Sequence, residues 1–553
     1  MANLDIWTIS LFSLVVFITG ISFAKSGNNM KSFFAAGGSV PYWISGLSLF
    51  MSFFSAGTFV VWGSIAYTDG LVAIIIQWTM CLAGVVIAIL IAPGWNRTKA
   101  MTAAQFITER LGYDTQKVYT YLFLFISIVT TGAFLYPVAR IVEVSTGIPL
   151  QHSIIALGLM ITIYTTVGGL WAVIVTDVLQ FIVLTAAVLI VVPLALDKVG
   201  GFSNFSEMAP EGFFSLISEE YNWWFIVAMV FYHIVYIGGN WAYVQRYTTV
   251  ATPRESTKVA WLFSGLYLIS PVVWMLPPMI YRVMNPELSG LADEGAYLLI
   301  CKDVLPAGLM GLMLGGMIFA TSSSVNTTIN ISAGVFTNDI YGKLWPHTSQ
   351  KTIMHVARFA TIGFGILTIV VALLVPNMGG IVEVVLSVAA LTGGAMFLPP
   401  IWALFSRHQT GVSIVSATLF SLSINIFFKM FAPRLLDITL SRSSEMLTGV
   451  VAPALVLVIF ELYYRIKTEE VKPYQLYLME REKRMEKEGT AEGAIGQSNK
   501  RGMKIIGTGI MAIGLMVIGL GILADFAHLL VISMGIAISL VAAMIFPWQR
   551  KIN

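Results

Sequence analysis

Residues 236–246 read YIGGNWAYVQR and interrupt an apolar run that begins near residue 222. Gly238 and Gly239 permit unwound backbone, which a membrane tolerates only where it lines a cavity. A second interruption of the same kind, SFFSAGTF with Gly57, stands at residues 52–59. The two broken runs start five spans apart. Broken helices at matching positions in two halves of a chain point to a carrier built from inverted repeats. Either segment alone reads as close helix packing through glycine; the matched pair favours transport.

Composition supports the membrane setting. Of 553 residues, 57% are hydrophobic and only 11% charged, where a soluble protein carries about 25% charged residues. Mean hydropathy is +0.82. The formal net charge of +3 is spread over loops and forms no stripe suited to nucleic acid. Cys81 and Cys301 make neither a disulfide nor a metal pattern.

Apolar runs fall near residues 5–24, 42–66, 71–94, 116–139, 152–170, 172–195, 222–244, 257–282, 304–336, 354–376, 380–405, 411–432, 445–465, 503–523 and 527–547. At about 20 residues per crossing, this is an all-α polytopic membrane protein of about 15 transmembrane helices. The first run lacks the basic flank of a signal peptide and is read as a retained span. Asp5 precedes it and Lys25 and Lys31 follow, so the positive-inside rule puts the N-terminus outside and the C-terminus in the cytoplasm. The loops starting at Asn96, Gln245 and Asn338 are then cytoplasmic and basic, and those starting at Asp197 and Asn285 are outer and acidic. Residues 429–444, basic although on the predicted outer side, are the exception. The segment 466–502, with YLMEREKRMEKE in it, reads as a solvated cytoplasmic helix carrying i,i+4 charge pairs.

Residues 320–341, ATSSSVNTTINISAGVFTNDIY, hold the densest polar cluster inside an apolar span. Hydroxyls at that depth are costly without partners. Ser323, Ser324 and Thr327 share one helical face, so their oxygens converge on a point where a hard cation would bind. The alternative is that they bond back to their own helix and cement it to its neighbours. Asp177 lies about a third of the way into the sixth span, and an ionisable group there is a functional candidate by default. Thr58, Gln77 and Asn240 are polar residues in apolar spans and would face either a solute or a neighbouring helix. Arg140 and Glu143, spaced i,i+3, are expected to pair at the membrane interface, and Glu383 to lie at an interface too. The six histidines show no metal spacing; His233, alone well inside a span, is read as a core residue.

Several spaced motifs together resemble the sodium:solute symporter family, which includes sodium-coupled sugar, proline and sialic acid transporters. They are SFFAAGGSVPYW (32–43), GGLWAVIVTDVLQ (168–180), YVQR (243–246), and the triple serine followed by VFTNDIY (335–341). The similarity is collinear from about residue 5 to 465. It implies a leucine-transporter-like fold. Residues 1–41 would be a first helix and loop, 42–200 and 201–410 the inverted five-helix repeats (spans 2–6 and 7–11), and 411–465 two further spans. Residues 466–502 would be the charged segment and 503–553 two additional C-terminal spans. It also implies a sodium site made by the carbonyls of Met51, Phe54 and Ala320 and the hydroxyls of Ser323 and Ser324. Asp177 and Ser322 would serve a second sodium.

The solute site departs from the sugar carriers. Phe53, Tyr267 and Val385 stand where their polar contacts would be, and Gln77 replaces an acidic one. Against the sialic acid carriers, Ser55, Thr58 and Gln77 match polar contacts, but a threonine, Thr130 or Thr131, replaces the arginine. Asn240 matches a polar sugar contact. Phe53, Phe54 and Trp78 are candidates for the cavity wall. The resemblance therefore implies sodium-coupled symport of a small polar organic solute, a sugar or sugar derivative, across the plasma membrane. Proton coupling through Asp177 and an ion channel are the rival readings. No HExxH or GxSxG motif suggests an enzyme.

Overall fold

Asn240 is where an apolar helix pair bends sharply. In the computed structural model, which describes residues 3–22, 40–100, 102–167, 170–378, 381–467, 472–488 and 495–548, helices Trp223–Gly239 and Trp241–Thr248 meet there at 61°. In chain order the main helices are α1 (Asn3–Ser22), α2 (Tyr42–Met51) and α3 (Gly63–Asp69), joined by a π-helical turn over Thr58–Trp62. Then come α4 (Leu71–Thr98), α5 (Ala103–Leu111), α6 (Tyr113–Thr146), α7 (Leu150–Val167) and α8 (Leu170–Lys198). The bent pair is α9 and α10, followed by α11 (Pro253–Met284), α12 (Leu309–Val335), α13 (Gln350–Leu374) and α14 (Ile381–Phe405). The chain closes with α15 (Gly411–Ile426), α16 (Arg442–Lys467), α17 (Lys472–Glu488), α18 (Ile495–Leu523) and α19 (His528–Trp548). No strand occurs among the described residues.

Eleven of these helices are long and apolar enough to cross a membrane, and the bent pair makes a twelfth. The expected count of about fifteen is not reached by that criterion. The second apolar run is split at Ser52–Ser55, and the runs at Asn3–Val16 and Leu150–Ile163 stand as shorter apolar helices. Lys25 and Lys31, most of the SFFAAGGSVPYW motif, and Gly168 and Gly169 lie outside the described residues.

Depth in the bundle follows side-chain polarity. In the most apolar window of α12, the helix of the hydroxyl run, 89% of residues are buried, against 22% in α19. Phe359, Ile163 and Leu529 are exposed on the outside, as a lipid-facing surface requires. Asp5, read as a flank of the first span, is instead buried, and its carboxylate accepts from the Gly308 and Gly311 amides at 2.7 and 3.0 Å. It therefore satisfies the open N-terminus of α12.

The basic stretch at 429–444 carries two cations held in ion pairs. Lys429 pairs with Glu383 and Glu445 at 2.9 and 3.1 Å, and Arg442 with Glu220 and Glu383. Both cations are thus paired with acids, three of the four contacts reaching well beyond the segment to Glu220 and Glu383. The segment holding α17 is less solvated than its charge pattern suggests. Tyr477 is buried against Phe106 of α5, and the Arg110 guanidinium lies 4.9 Å from the Tyr474 ring centre.

Glycines set the closest helix contacts. A methyl group on Gly394 of α14 would lie 2.0 Å from the Gly449 carbonyl oxygen of α16. The C-terminal hairpin α18–α19 closes in the same way through Gly514, Gly521 and Gly535. Gly394→Ala is therefore expected to cost about 1–3 kcal/mol through overpacking, although alanine is the better helix former by about 1 kcal/mol. Gly265→Ala, with no atom within 4 Å to meet, should hold or raise the melting temperature. Thermal unfolding in detergent decides, and equal Tm values for the two variants would remove packing as the reason for Gly394.

Candidate functional site

The break between α2 and α3 is built by diverting amides. In a continuous helix the Ser55 amide would bond the Met51 carbonyl, Ala56 that of Ser52, and Thr58 that of Phe54. Here the Ser55 amide donates to Thr58 Oγ1 at 3.2 Å, the Ala56 amide to Thr321 Oγ1 of α12 at 2.7 Å, and the Thr58 amide to the Ser55 carbonyl at 2.9 Å. Those carbonyls are thereby released from the usual helix pattern. Ser324 Oγ donates to the Ser52 carbonyl at 3.2 Å, and Thr58 Oγ1 to that of Phe53 at 2.7 Å. The hydroxyl run of α12 and the broken second span are thus stitched together directly.

The second break is satisfied by different means. Asn240 Oδ1 accepts from the Ala242 amide at 3.0 Å and so caps α10. Trp95 of α4 donates its indole N–H to the Gly238 carbonyl at 2.8 Å. Gly239 has no room for a side chain, since a methyl there would come within 2.8 Å of Phe397. Phe53 from the first break and Tyr243 from the second meet with ring centres 4.3 Å apart.

Asp177 joins four elements. Its carboxylate accepts from Ser323 Oγ of α12 and, at 2.5 Å, from Ser48 Oγ of α2. Arg246 of α10 donates Nε–H to Ser48 Oγ at 3.2 Å and holds Nη2 3.9 Å from Asp177 Oδ2. Both charged side chains are essentially inaccessible, at 0% and 1% exposure. A buried charge pair of this kind persists only with supporting hydrogen bonds, which the two serines supply. Each contact uses Asp177 as acceptor. The proton of Ser323 is spent on Asp177 and that of Ser324 on Ser52, so the oxygen lone pairs of both serines stay available. Ser322 differs: it bonds back to the Ile318 carbonyl of its own helix at 2.6 Å.

A cavity with about 990 Å³ of empty space, mouth included, opens beside the two breaks. Among the sequence-derived solute residues, Phe53, Ser55 and Thr58 line it; Gln77 and Asn240 do not. Gln77 is buried elsewhere in α4, with no partner for its amide nitrogen. Asn240 lines a smaller neighbouring cavity that shares Thr130, Phe134, Tyr236, Tyr243 and Thr392 with the first. Trp78 points away to bond the Leu268 carbonyl, and Phe54 stacks on Trp274 with centres 3.5 Å apart. Phe53, Trp62, Phe134, Tyr236, Tyr243 and Tyr267 put aromatic rings on the main wall, and no Asp, Glu, Lys or Arg is among its described lining residues.

Sequence reasoning missed Ser48, Arg246 and His233. Ser48 carries no signal, because a serine in an apolar run says nothing of its partner. Arg246 was visible as a lone cation directly after the broken seventh run, a position where an uncompensated charge is expensive. His233, read as core, is part of the cavity wall.

Two discontinuous helices held against a hydroxyl-rich central helix, beside an open-mouthed cavity, fit a membrane carrier rather than a simple helical bundle. The comparisons identify which. Residues 33–412 match the sodium:solute symporter family, and the chain belongs to it. The sodium/glucose cotransporter of Vibrio parahaemolyticus is 25% identical over 77% of this chain and 85% of its own length. The sodium/sialic acid symporter NanT of Aliivibrio fischeri is 24% identical, over 70% and 80% respectively. The human sodium-coupled monocarboxylate transporter 2 is 26% identical, over 71% and 67%. The fold is shared with a Na+-coupled sialic acid symporter solved in its outward-open state, at TM-score 0.71 and 20% identity, over 85% of this chain and all of that one. The nucleobase-cation-symport-1 transporter Mhp1 is more distant, at TM-score 0.52 and 13% identity over 81% and 98%. Helical in its described residues, multi-pass and leucine-transporter-like, the chain is a sodium-coupled transport protein by family.

Arg246→Met would strand Asp177 without a cation. The expected cost is about 3–5 kcal/mol of stability, with Asp177→Asn/Arg246→Met well below the sum of the single losses. Thermal unfolding of the three variants tests this; strictly additive losses would show that the two residues do not act as a pair.

Proposed function

We propose that the protein carries a small uncharged polar organic solute, a sugar or sugar derivative, across the plasma membrane by sodium-coupled alternating access. The sodium would be held by the carbonyls of Met51, Phe54 and Ala320 and the hydroxyls of Ser323 and Ser324. The observation that carries this reading is the diversion of the Ser55 and Thr58 amides, which leaves the Met51 and Phe54 carbonyls without their normal helical donors. Oxygen ligands of this kind suit a hard cation. Binding there would tie α2 to α12 and order the cavity wall at Phe53, Ser55 and Thr58. Asp177 and Ser322 are the candidates for a second ion; Ser322 donates its proton to the Ile318 carbonyl and, like Ser323 and Ser324, keeps its oxygen lone pairs.

The inverted repeats would be residues 42–200 and 201–410, with the N-terminus outside and the C-terminus in the cytoplasm. Relatives of this chain carry glucose, sialic acid or monocarboxylates by their names. A wall without Lys or Arg, and with Thr130 in it, supports the neutral solute over a carboxylate. One sodium moving through roughly 100 mV and a tenfold gradient releases about 3.7 kcal/mol, enough for roughly 500-fold accumulation. Proton coupling through Asp177 gains no support from its contacts, since Ser48, Ser323 and Arg246 all present donors to it.

The purified protein should melt higher in sodium than in equimolar potassium, because a ligand of the folded state raises its apparent stability. The rise should vanish in Ser323→Ala/Ser324→Ala. Identical melting in the two salts at saturating concentration would sink the sodium site.

A further inference from the structure

We propose that His233 is a neutral, Nδ1-protonated imidazole whose bare Nε2 accepts a hydrogen bond from the transported solute. The wall then selects an uncharged solute that presents a hydroxyl or N–H donor at this point. The solute half of the claim rests on the symport reading above; the state of the ring does not.

The geometry starts at Thr79 of α4, whose hydroxyl has a single proton. Thr79 Oγ1 lies 2.5 Å from the Ile76 carbonyl oxygen and 2.7 Å from His233 Nδ1. A carbonyl only accepts, so the hydroxyl proton goes to Ile76. The contact to the imidazole is then satisfied only if Nδ1 carries a hydrogen and donates it to Thr79. In a neutral ring this leaves Nε2 as a lone-pair acceptor. An imidazolium would need a counter-charge, and no Asp or Glu contributes to the cavity wall.

Nε2 has no hydrogen-bond partner in the protein, yet it is not sealed in the way that the unpartnered Gln77 amide is. His233 is part of the cavity wall and its Nδ1 side is occupied by Thr79, so Nε2 is the nitrogen open to the cavity. Tyr232 lies on the same wall with its ring centre 5.2 Å from that of His233, and no hydrogen bond joins the two side chains. An acceptor left bare in a largely apolar cavity is unfavourable until a donor arrives. The aromatic rings nearby supply the other half of recognition, a flat apolar surface for the ring face of the solute. Thr79 thus positions and polarises His233, and His233 reads the solute.

Asparagine and glutamine separate the two ends of the ring. Asn in place of His233 puts its amide near the Nδ1 position and keeps the Thr79 contact; Gln reaches toward the Nε2 position and keeps an acceptor there. Sodium-driven uptake into proteoliposomes would be measured for D-glucose, D-galactose and myo-inositol, and for the monodeoxyfluoro forms of whichever is carried. Fluorine keeps the size of a hydroxyl and cannot donate. In the unaltered protein one fluoro position should raise KM about tenfold. His233→Asn should raise KM for the parent solute by the same factor and stop distinguishing it from that analogue, while His233→Gln keeps the distinction. Discrimination that survives in His233→Asn overturns the proposal. Should sodium drive uptake of none of these solutes, the sugar reading fails, and nitrogen-15 NMR of histidine-labelled protein decides the ring state independently. The signal lost in His233→Asn should report a proton on Nδ1 alone; a proton on Nε2, alone or together with Nδ1, overturns the assignment.

Discussion

A helix stops partway across a bilayer only if the peptide groups it releases find partners inside the protein, because hydrocarbon offers none. Much of this structure follows from meeting that demand at two places. At Ser52–Ser55 the partners are hydroxyls, from Thr58 at the start of the following π-helical turn and from Thr321 and Ser324 on α12. At Gly238–Asn240 they are an indole from α4 and the side chain of Asn240 itself. The hydroxyl run that first suggests cation binding therefore also holds the broken span in place. Its two roles are compatible because each serine spends its proton on the scaffold and keeps its lone pairs.

The Asp177–Ser48–Arg246–Ser323 network ties these pieces together. Its members come from α8, α2, α10 and α12, so both broken spans and the central helix converge on one carboxylate. Both charges are buried, and their separation of 3.9 Å is bridged by the Ser48 hydroxyl rather than closed by direct hydrogen bonds. Such an arrangement is a poor source of raw stability, yet losing one partner strands the other charge. A rearrangement of either broken span would alter the surroundings of Asp177, which suits a protein proposed to alternate between two states.

The proposed solute and ion sites differ in charge. The cavity wall holds no formal charge, whereas Asp177 and Arg246 are buried and do not line it. A neutral solute that binds by stacking and by a few directed hydrogen bonds matches this division. The departures from the sugar-carrier pattern at Phe53, Tyr267 and Val385 all fall on this wall, which makes it more apolar.

The sequence alone determined the membrane class, the two breaks and the polar run, because each depends on local composition. Glycine at 238 and 239 and hydroxyls at 321–328 violate the rules for a plain span wherever that span is packed. The family resemblance, carried by motifs of the same kind, agreed with the comparisons. Only the tertiary structure decided which polar groups meet. Asp5 reaching Gly308, Arg246 reaching Ser48 and Asp177, and the neutralisation of Lys429 and Arg442 all join residues distant in the chain. Nor did the sequence decide azimuth. Gln77 and His233 both looked like polar residues inside apolar spans; one is turned into packing, the other toward the cavity. Hydropathy records how deep a residue lies along a span, whereas the direction it faces is set by the neighbours against which that span packs.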